Sequence, residues 1–292
     1  MPQVQANNIS VEVETLGNPA NPPLLLIMGL GAQLTAWPKG FCKELVDRGY
    51  YVIRFDNRDV GLSKYFDDVP EPNMVLSYLG ALIRRPKNVE YTLSDMAKDA
   101  VGVLDAQGIT SAHVVGASMG GMIAQRLAIE HPERVRSLCS IMSMPRYIPP
   151  PFRVAMKLMD PDPGTREGRI ESGLMAARLL NGKEYQLDEE NARQEIAASI
   201  DRAWYPAGIS RQMAAILADG DRRPGLTKVD VPTAVIHGTA DCLVLPKGGQ
   251  ETADAIFKSE LVWIEGMGHN LPEEAWPKIL DTISKVTFQI DN

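Results

Sequence analysis

The sequence predicts an α/β chain: a mostly parallel, doubly wound sheet interrupted by a helical insertion. Three observations carry this. Short apolar strands alternate with amphipathic helices along the first half, as a parallel sheet covered on both faces requires. The rhythm stops at Pro145, gives way to prolines and helical periodicity until about Gly225, and then resumes. Gly116-Ala117-Ser118-Met119-Gly120 lies between an apolar β-rich run and a helix, the setting of a sharp strand-to-helix turn.

Taken in order, Val11 to Thr15 alternates as an early strand. Leu24 to Met28 is continuously apolar and suits the middle of a parallel sheet. Gly29-Leu30-Gly31 follows as a loop, Phe41 to Arg48 as a helix closed by Gly49, and Tyr50 to Phe55 as a strand ending in the polar turn 56–63. Pro70 to Asn88 is a loose insertion with a short apolar segment, Val75 to Ile83. Thr92 to Gln107 places Met96, Ala100, Val103 and Leu104 on one helical face, and Gly108 ends it. Ala112 to Val115 and Met119 to Glu130 flank Ser118, and Val135 to Met142 is another buried strand. Prolines then cluster at 149–151, Pro161 and Pro163, before helices at Glu171 to Leu180, Glu189 to Ser199 and Ile209 to Ala218. Val229 to Ile236 restores the sheet. Glu251 to Phe257 is a helix, Leu261 to Ile264 the last strand, and Pro272 to Val286 the closing helix. The division is therefore 1–144, 145–226 and 227–292.

With 292 residues there is length for one large domain carrying an inserted subdomain. A net charge of −7, with acids and bases interspersed, argues against nucleic acid or an anionic membrane as partner. The longest nearly apolar stretch, Leu24 to Ala32, is too short to span a bilayer. The N-terminus lacks the basic and apolar regions of a secretory leader, so a cytoplasmic location is expected. Cys42, Cys139 and Cys242 are far apart and form no C-x-x-C, so reduced thiols are expected rather than a disulfide framework or a zinc site. Nothing in the pattern fixes an oligomeric state.

Ser118 on such a turn has the setting of a nucleophile, with Gly116 and Gly120 where strand and helix crowd together. A helix N-cap serine would explain Ser118 but not the paired glycines. A serine hydroxyl needs a base, and a histidine base needs a carboxylate to hold its tautomer. Four histidines are available. His113 begins the strand before Ser118, at the wrong end of the sheet; His131 closes a helix; His237 ends a strand four residues before a better-placed acid. His269, in a glycine-rich loop after the last strand, fits the order Ser, Asp, His. Asp241 follows the restored strand, at the sheet end where ligands gather. Asp219, Asp221 and Asp230 rival it by order only. The oxyanion needs donors, and the N–H groups of Met119 and Leu30 are the candidates.

These pieces resemble the α/β-hydrolase family over nearly the whole chain. Gly116 to Gly121, Gly238-Thr239-Ala240-Asp241 and Gly266-Met267-Gly268-His269 correspond to its nucleophile, acid and base loops. The turn 56–63 looks like the family's D-x-R-G-x-G-x-S turn, with Asp59 where glycine is usual. Met28-Gly29 stands where His-Gly is common. With Trp37-Pro38 downstream, both departures resemble the aclacinomycin methylesterase type of branch. The resemblance implies that the insertion is a cap over the active site.

Serine at the nucleophile position, where epoxide hydrolases and haloalkane dehalogenases of this fold use aspartate, points to acyl transfer through an acyl-enzyme, requiring no metal or organic cofactor. The expected function is a carboxylesterase acting on small to medium apolar esters. Gly29, Met144, Trp204 and Tyr205 are candidate pocket residues, in and beside a cap region that also offers Met142, Tyr147, Phe152, Met156, Met159 and Met175. Each of these could equally pack helices. A perhydrolase or haloperoxidase-like enzyme, a peptidase, a thioesterase, a C–C hydrolase or a ligand receptor on this fold would use the same residues.

Overall fold

A computed structural model of the chain describes residues 3–82, 89–158 and 162–291. The expected segment ends Ile83 and Asn88, Pro161 and the candidate Met159 lie outside the described residues. Among the described residues one eight-stranded sheet forms, from β1 (Gln3–Ala6), β2 (Ile9–Leu16), β3 (Pro23–Ile27), β4 (Tyr51–Phe55), β5 (Ala112–Ala117), β6 (Val135–Ile141), β7 (Thr233–Gly238) and β8 (Glu260–Ile264). Their order is β1-β2-β4-β3-β5-β6-β7-β8. β1 to β2 and β2 to β4 are antiparallel; every other neighbouring pair is parallel.

Period-two alternation explains how β3 serves two cores. Leu25 and Ile27 enter the core beneath the helices Leu93–Ala106 and Met119–Glu130. Leu24 and Leu26 enter the opposite core with Phe41, Leu45, Ile279 and Ile283 from the helices Lys39–Asp47 and Trp276–Asp291. Thr92 caps Leu93–Ala106 through a reciprocal capping box with Asp95.

The chain moves from β3 outward to β4 on one side and then crosses to β5 on the other. That reversal opens a crevice at the carboxyl ends of β3 and β5, where a ligand meets the fewest obstructing connections. Between β6 and β7 the chain forms the helices Phe152–Leu158, Arg166–Leu180, Glu189–Arg202, Pro206–Ala218 and Arg223–Leu226. No helix among the described residues is long and apolar enough to cross a membrane.

Some expectations need correction. β1 was unforeseen, because four residues paired only at a sheet edge give little periodicity. β7 begins at Thr233 rather than Val229, since Pro232 lacks the N–H that a central strand needs. The apolar segment in 70–88 forms a helix, Met74–Leu82.

Buried ion pairs tie the insertion to the turn after β4. Asp56 pairs with Arg202 at 2.8 Å and accepts from Leu34 and Leu62 N–H at 2.7 and 2.9 Å. Asp59 pairs with Arg211 at 2.8 Å, and accepts from Phe66 N–H and the Tyr91 hydroxyl at 2.8 Å each. Asp59 holds φ at 65°, the left-handed conformation that explains why glycine is usual there. Its carboxylate, used to neutralise Arg211, explains why aspartate stands here instead.

Candidate active site

The turn at Ser118 is over-determined. Ser118 has φ 56° and ψ −121°, a strained conformation for a residue with a Cβ. Its N–H donates to Ile141 O at 2.9 Å, and its carbonyl accepts from the Ser143 hydroxyl at 2.8 Å. A Cβ on Gly120 would strike the Ile27 carbonyl, and one on Gly116 would strike the Gly120 backbone. The two glycines let the helix Met119–Glu130 start directly against β3 and β5. Helix geometry leaves its first N–H groups, Met119 among them, without an intrahelical acceptor and aimed past Ser118.

Ser118, His269 and Asp241 come together in one hydrogen-bonded line. Asp241 Oδ2 lies 2.7 Å from His269 Nδ1, and His269 Nε2 lies 3.0 Å from Ser118 Oγ. Burial alone would raise the Asp241 carboxyl. The His269 ring hydrogen-bonded to the carboxyl and the neighbouring His237 ring outweigh burial and hold the group down at about 2. An ionised carboxylate only accepts, so Nδ1 of His269 carries the proton and Nε2 is free to accept from the serine hydroxyl. The other Asp241 oxygen accepts from Leu243 and Val244 N–H at 2.9 Å each. Asp241 is therefore both a turn aspartate bonding its own backbone and the partner of His269.

The direction of that shift makes a pH prediction. The carboxyl sits at about 2 in the folded chain and at about 3.9 unfolded. Its contribution is therefore complete above the unfolded value and lost as pH falls through 2, on the order of 2 kcal/mol. Urea unfolding of wild type and Asp241→Asn from pH 5 to pH 2 should show this additional loss only in wild type. Parallel curves would remove Asp241 as the source.

The rivals are engaged elsewhere. Asp219 pairs with Arg126 at 2.7 Å and also with Arg222; Asp221 pairs with Arg223 at 2.6 Å; Asp230 is exposed. His113 Nδ1 bonds Ser137 Oγ at 2.8 Å deep in the sheet, and His131 ends the helix after Ser118. His237, set aside as a base, is nonetheless close to the acid. Its Nε2–H donates to Val244 O at 2.8 Å and lies 3.6 Å from Asp241 Oδ2. The His237 to Asp241 spacing of four residues across a turn was the signal for this contact. Burial pushes the thiols of Cys42 and Cys139 up to about 11 and about 12, so neither is a nucleophile at neutral pH.

Ser118 and His269 open onto a cavity of about 870 Å³. Gly29, Leu30, Met142 and Met144 line it, as do Tyr147, Leu180, Ile196, Ile209 and Met213 from the insertion. Gly29 is close enough that an added Cβ would lie 3.4 Å from Ser118 Oγ. The candidates Trp204 and Tyr205 are not part of this wall. Trp204 donates to Asp162 at 3.1 Å beneath the Arg169 guanidinium at the surface, and Tyr205 stacks on Tyr65 at 4.0 Å with its hydroxyl on Arg211. Phe152, Met156 and Met175 are exposed. Residue type alone could not separate wall from surface in these helices.

Contacts from the insertion reach the site loops directly. Leu180 O accepts from His269 N–H at 2.7 Å, and the Asn270 amide donates to Asn181 Oδ1 at 2.7 Å. Gln212 accepts from Gly31 N–H at 2.8 Å. These partners carry no recognisable motif, because each is set by a contact between segments distant in sequence.

Comparison with known proteins agrees with this architecture. The family model for the alpha/beta hydrolase fold matches residues 22–275. Rhodomycin D methylesterase of Streptomyces sp. strain C5 is 30% identical over 292 residues, covering 92% of each chain. That of Streptomyces peucetius is 31% identical, covering 91% of each. In three dimensions the chain resembles an enol-lactonase from Burkholderia xenovorans LB400, with a TM-score of 0.75 at 22% identity, covering 97% of this chain and all of that one. On the strength of the matched span, the sheet order and the turn at Ser118, the chain belongs to the α/β-hydrolase family.

Proposed function

We propose that the chain hydrolyses the methyl ester of a bulky, largely apolar carboxylic acid through an acyl-enzyme on Ser118. The observation that carries this is the Asp241–His269–Ser118 line opening into a cavity of about 870 Å³ with mainly apolar walls. Such a volume is near the upper end for small-molecule sites and extends the expected substrate beyond small to medium esters. The methyl group is argued from the two relatives that are rhodomycin D methylesterases.

In the reaction, His269 Nε2 takes the Ser118 proton as Oγ attacks the ester carbonyl. Met119 N–H and Leu30 N–H stabilise the oxyanion. His269 returns the proton to the departing methoxide, and methanol leaves. Water then enters, gives a proton to His269 and attacks the acyl carbon, releasing the acid and restoring the Ser118 hydroxyl. The inserted helices act as the cap that encloses the acyl group. At the cavity margin, Asp188, Glu195, Glu273 and Glu274 are exposed carboxylates, and no lysine or arginine is among the described lining residues. This field suits a neutral ester and repels the anionic product.

A matrix of esters tests the proposal, with the acid varied from acetyl to polycyclic and the alcohol from methyl to butyl. Turnover efficiency should rise with acid bulk, fall with alcohol length, and release methanol in equal amount to the acid. A serine-directed phosphonate should leave one adduct, on Ser118, by peptide mass spectrometry. Preference for a C–C bond substrate or for peroxide over every ester would overturn the ester reading, and an adduct elsewhere would remove Ser118.

A further inference from the structure

We infer that Gln212, on the inserted helix Pro206–Ala218, is a positioning residue that fixes the loop carrying the Leu30 donor. This rests on the acyl-transfer reading above. Residues 29–32 form a tight turn, with Ala32 N–H donating to Gly29 O at 3.2 Å. Gly31, its third residue, has φ 66°, the conformation a type II turn demands there. The peptide joining Leu30 to Gly31 is the one that distinguishes the turn types, and Gln212 holds it: Gly31 N–H donates to Gln212 Oε1 at 2.8 Å.

Gln212 is itself held. Its side chain is fully buried, and Nε2 donates to Arg58 O at 2.8 Å. One amide therefore bridges the turn after β3 and the turn after β4, using its acceptor on one and its donor on the other. Ile209, one helical turn earlier, closes the same spot: a Cβ on Gly31 would lie 2.9 Å from Ile209 Cγ1. Gln33, two residues further on, is bound by the insertion as well, donating to Ser199 O at 2.7 Å and Ala203 O at 3.0 Å. The loop beside Ser118 is thus set by the insertion. A donor already aimed costs no reorganisation when the oxyanion develops, and that is the source of its effect.

Gln212→Met keeps the side-chain length and removes both hydrogen bonds. Its kcat should fall about 10- to 100-fold, part of the full cost of losing one oxyanion donor. The rate of Ser118 phosphonylation should fall in proportion, while KM stays within about threefold, since ground-state binding uses the apolar wall. Gln212→Glu supplies the second readout. Protonated, its carboxyl accepts from Gly31 and donates to Arg58 O, as the amide does; ionised, it loses the donor and sets a negative charge beside the oxyanion loop. The ratio of its kcat to wild type should therefore rise on the order of tenfold as pH is lowered through the range in which that carboxyl takes up its proton, burial favouring the neutral form. A folded Gln212→Met with unchanged kcat and phosphonylation overturns the inference. So does a Gln212→Glu ratio flat with pH, which would leave only a packing role. If Ser118→Ala retains turnover, the acyl-transfer reading fails instead; if it does not and Gln212→Met is unaffected, the Gln212 inference alone fails.

Discussion

Ser118→Ala is expected to lower kcat on a methyl ester by roughly 10⁴- to 10⁶-fold while leaving the fold intact. Alanine keeps the Cβ and the backbone, so the strain at φ 56° is unchanged. The 3.0 Å hydrogen bond to His269 is lost, together with the hydroxyl beside Gly29 that is proposed to carry the acyl group. His269→Ala should cost a similar factor, and the double variant scarcely more, because the two residues act as one unit. His113→Ala should leave the chemistry nearly unchanged, since that ring lies within the sheet against Ser137. Thermal melts and stopped-assay kinetics check these together. A Ser118→Ala protein with more than about a hundredth of wild-type kcat would require another nucleophile.

Asp59→Ala is expected to lower stability by about 3–5 kcal/mol, the cost of leaving a buried charge without its partner. Arg211 would remain with its side chain only 3% exposed, and the Tyr91 hydroxyl and Phe66 N–H would lose their acceptor. For a chain of this size the loss should appear as a fall in Tm on the order of 10 °C. Asp59→Gly removes the same carboxylate but relieves the φ of 65°, so it should be the less damaging by about 1 kcal/mol. Adding Arg211→Met to Asp59→Gly should recover much of the loss, because an apolar pair carries no desolvation cost. Differential scanning calorimetry of the three variants separates backbone from charge. A Tm within 2 °C of wild type for Asp59→Ala would mean that the pair is not a net contributor.

The parts that could be read from the chain share a local physical cause. Leu24 to Ile27 must be a strand buried on both faces because every side chain there is apolar. Gly116 and Gly120 flank Ser118 because neither position has room for a Cβ. His269 and Asp241 were ranked by chain order and by their places after strands, which reflect connectivity rather than packing. The Asp59 departure was visible in the sequence, but its partner was not: Arg211 is 152 residues away and no periodicity links the two. Trp204 and Tyr205 show the opposite failure. Aromatic type suggested a pocket wall, whereas Arg169, Asp162 and Tyr65 hold them outside it.

By itself, then, the sequence indicated the alternating sheet, a run of helices between its sixth and seventh strands, and Ser118, His269 and Asp241 as residues to be brought together. These follow from hydrophobic period, glycine sterics and the order of elements, all properties of short segments. Only the tertiary structure decided which inserted residues face the cavity, how the cavity is sized, and that Gln212, Arg202, Arg211 and Leu180 tie the insertion to the site loops. Such contacts depend on the angle at which helices settle over the sheet. That angle is fixed by many weak packing contacts together, and no single segment encodes it.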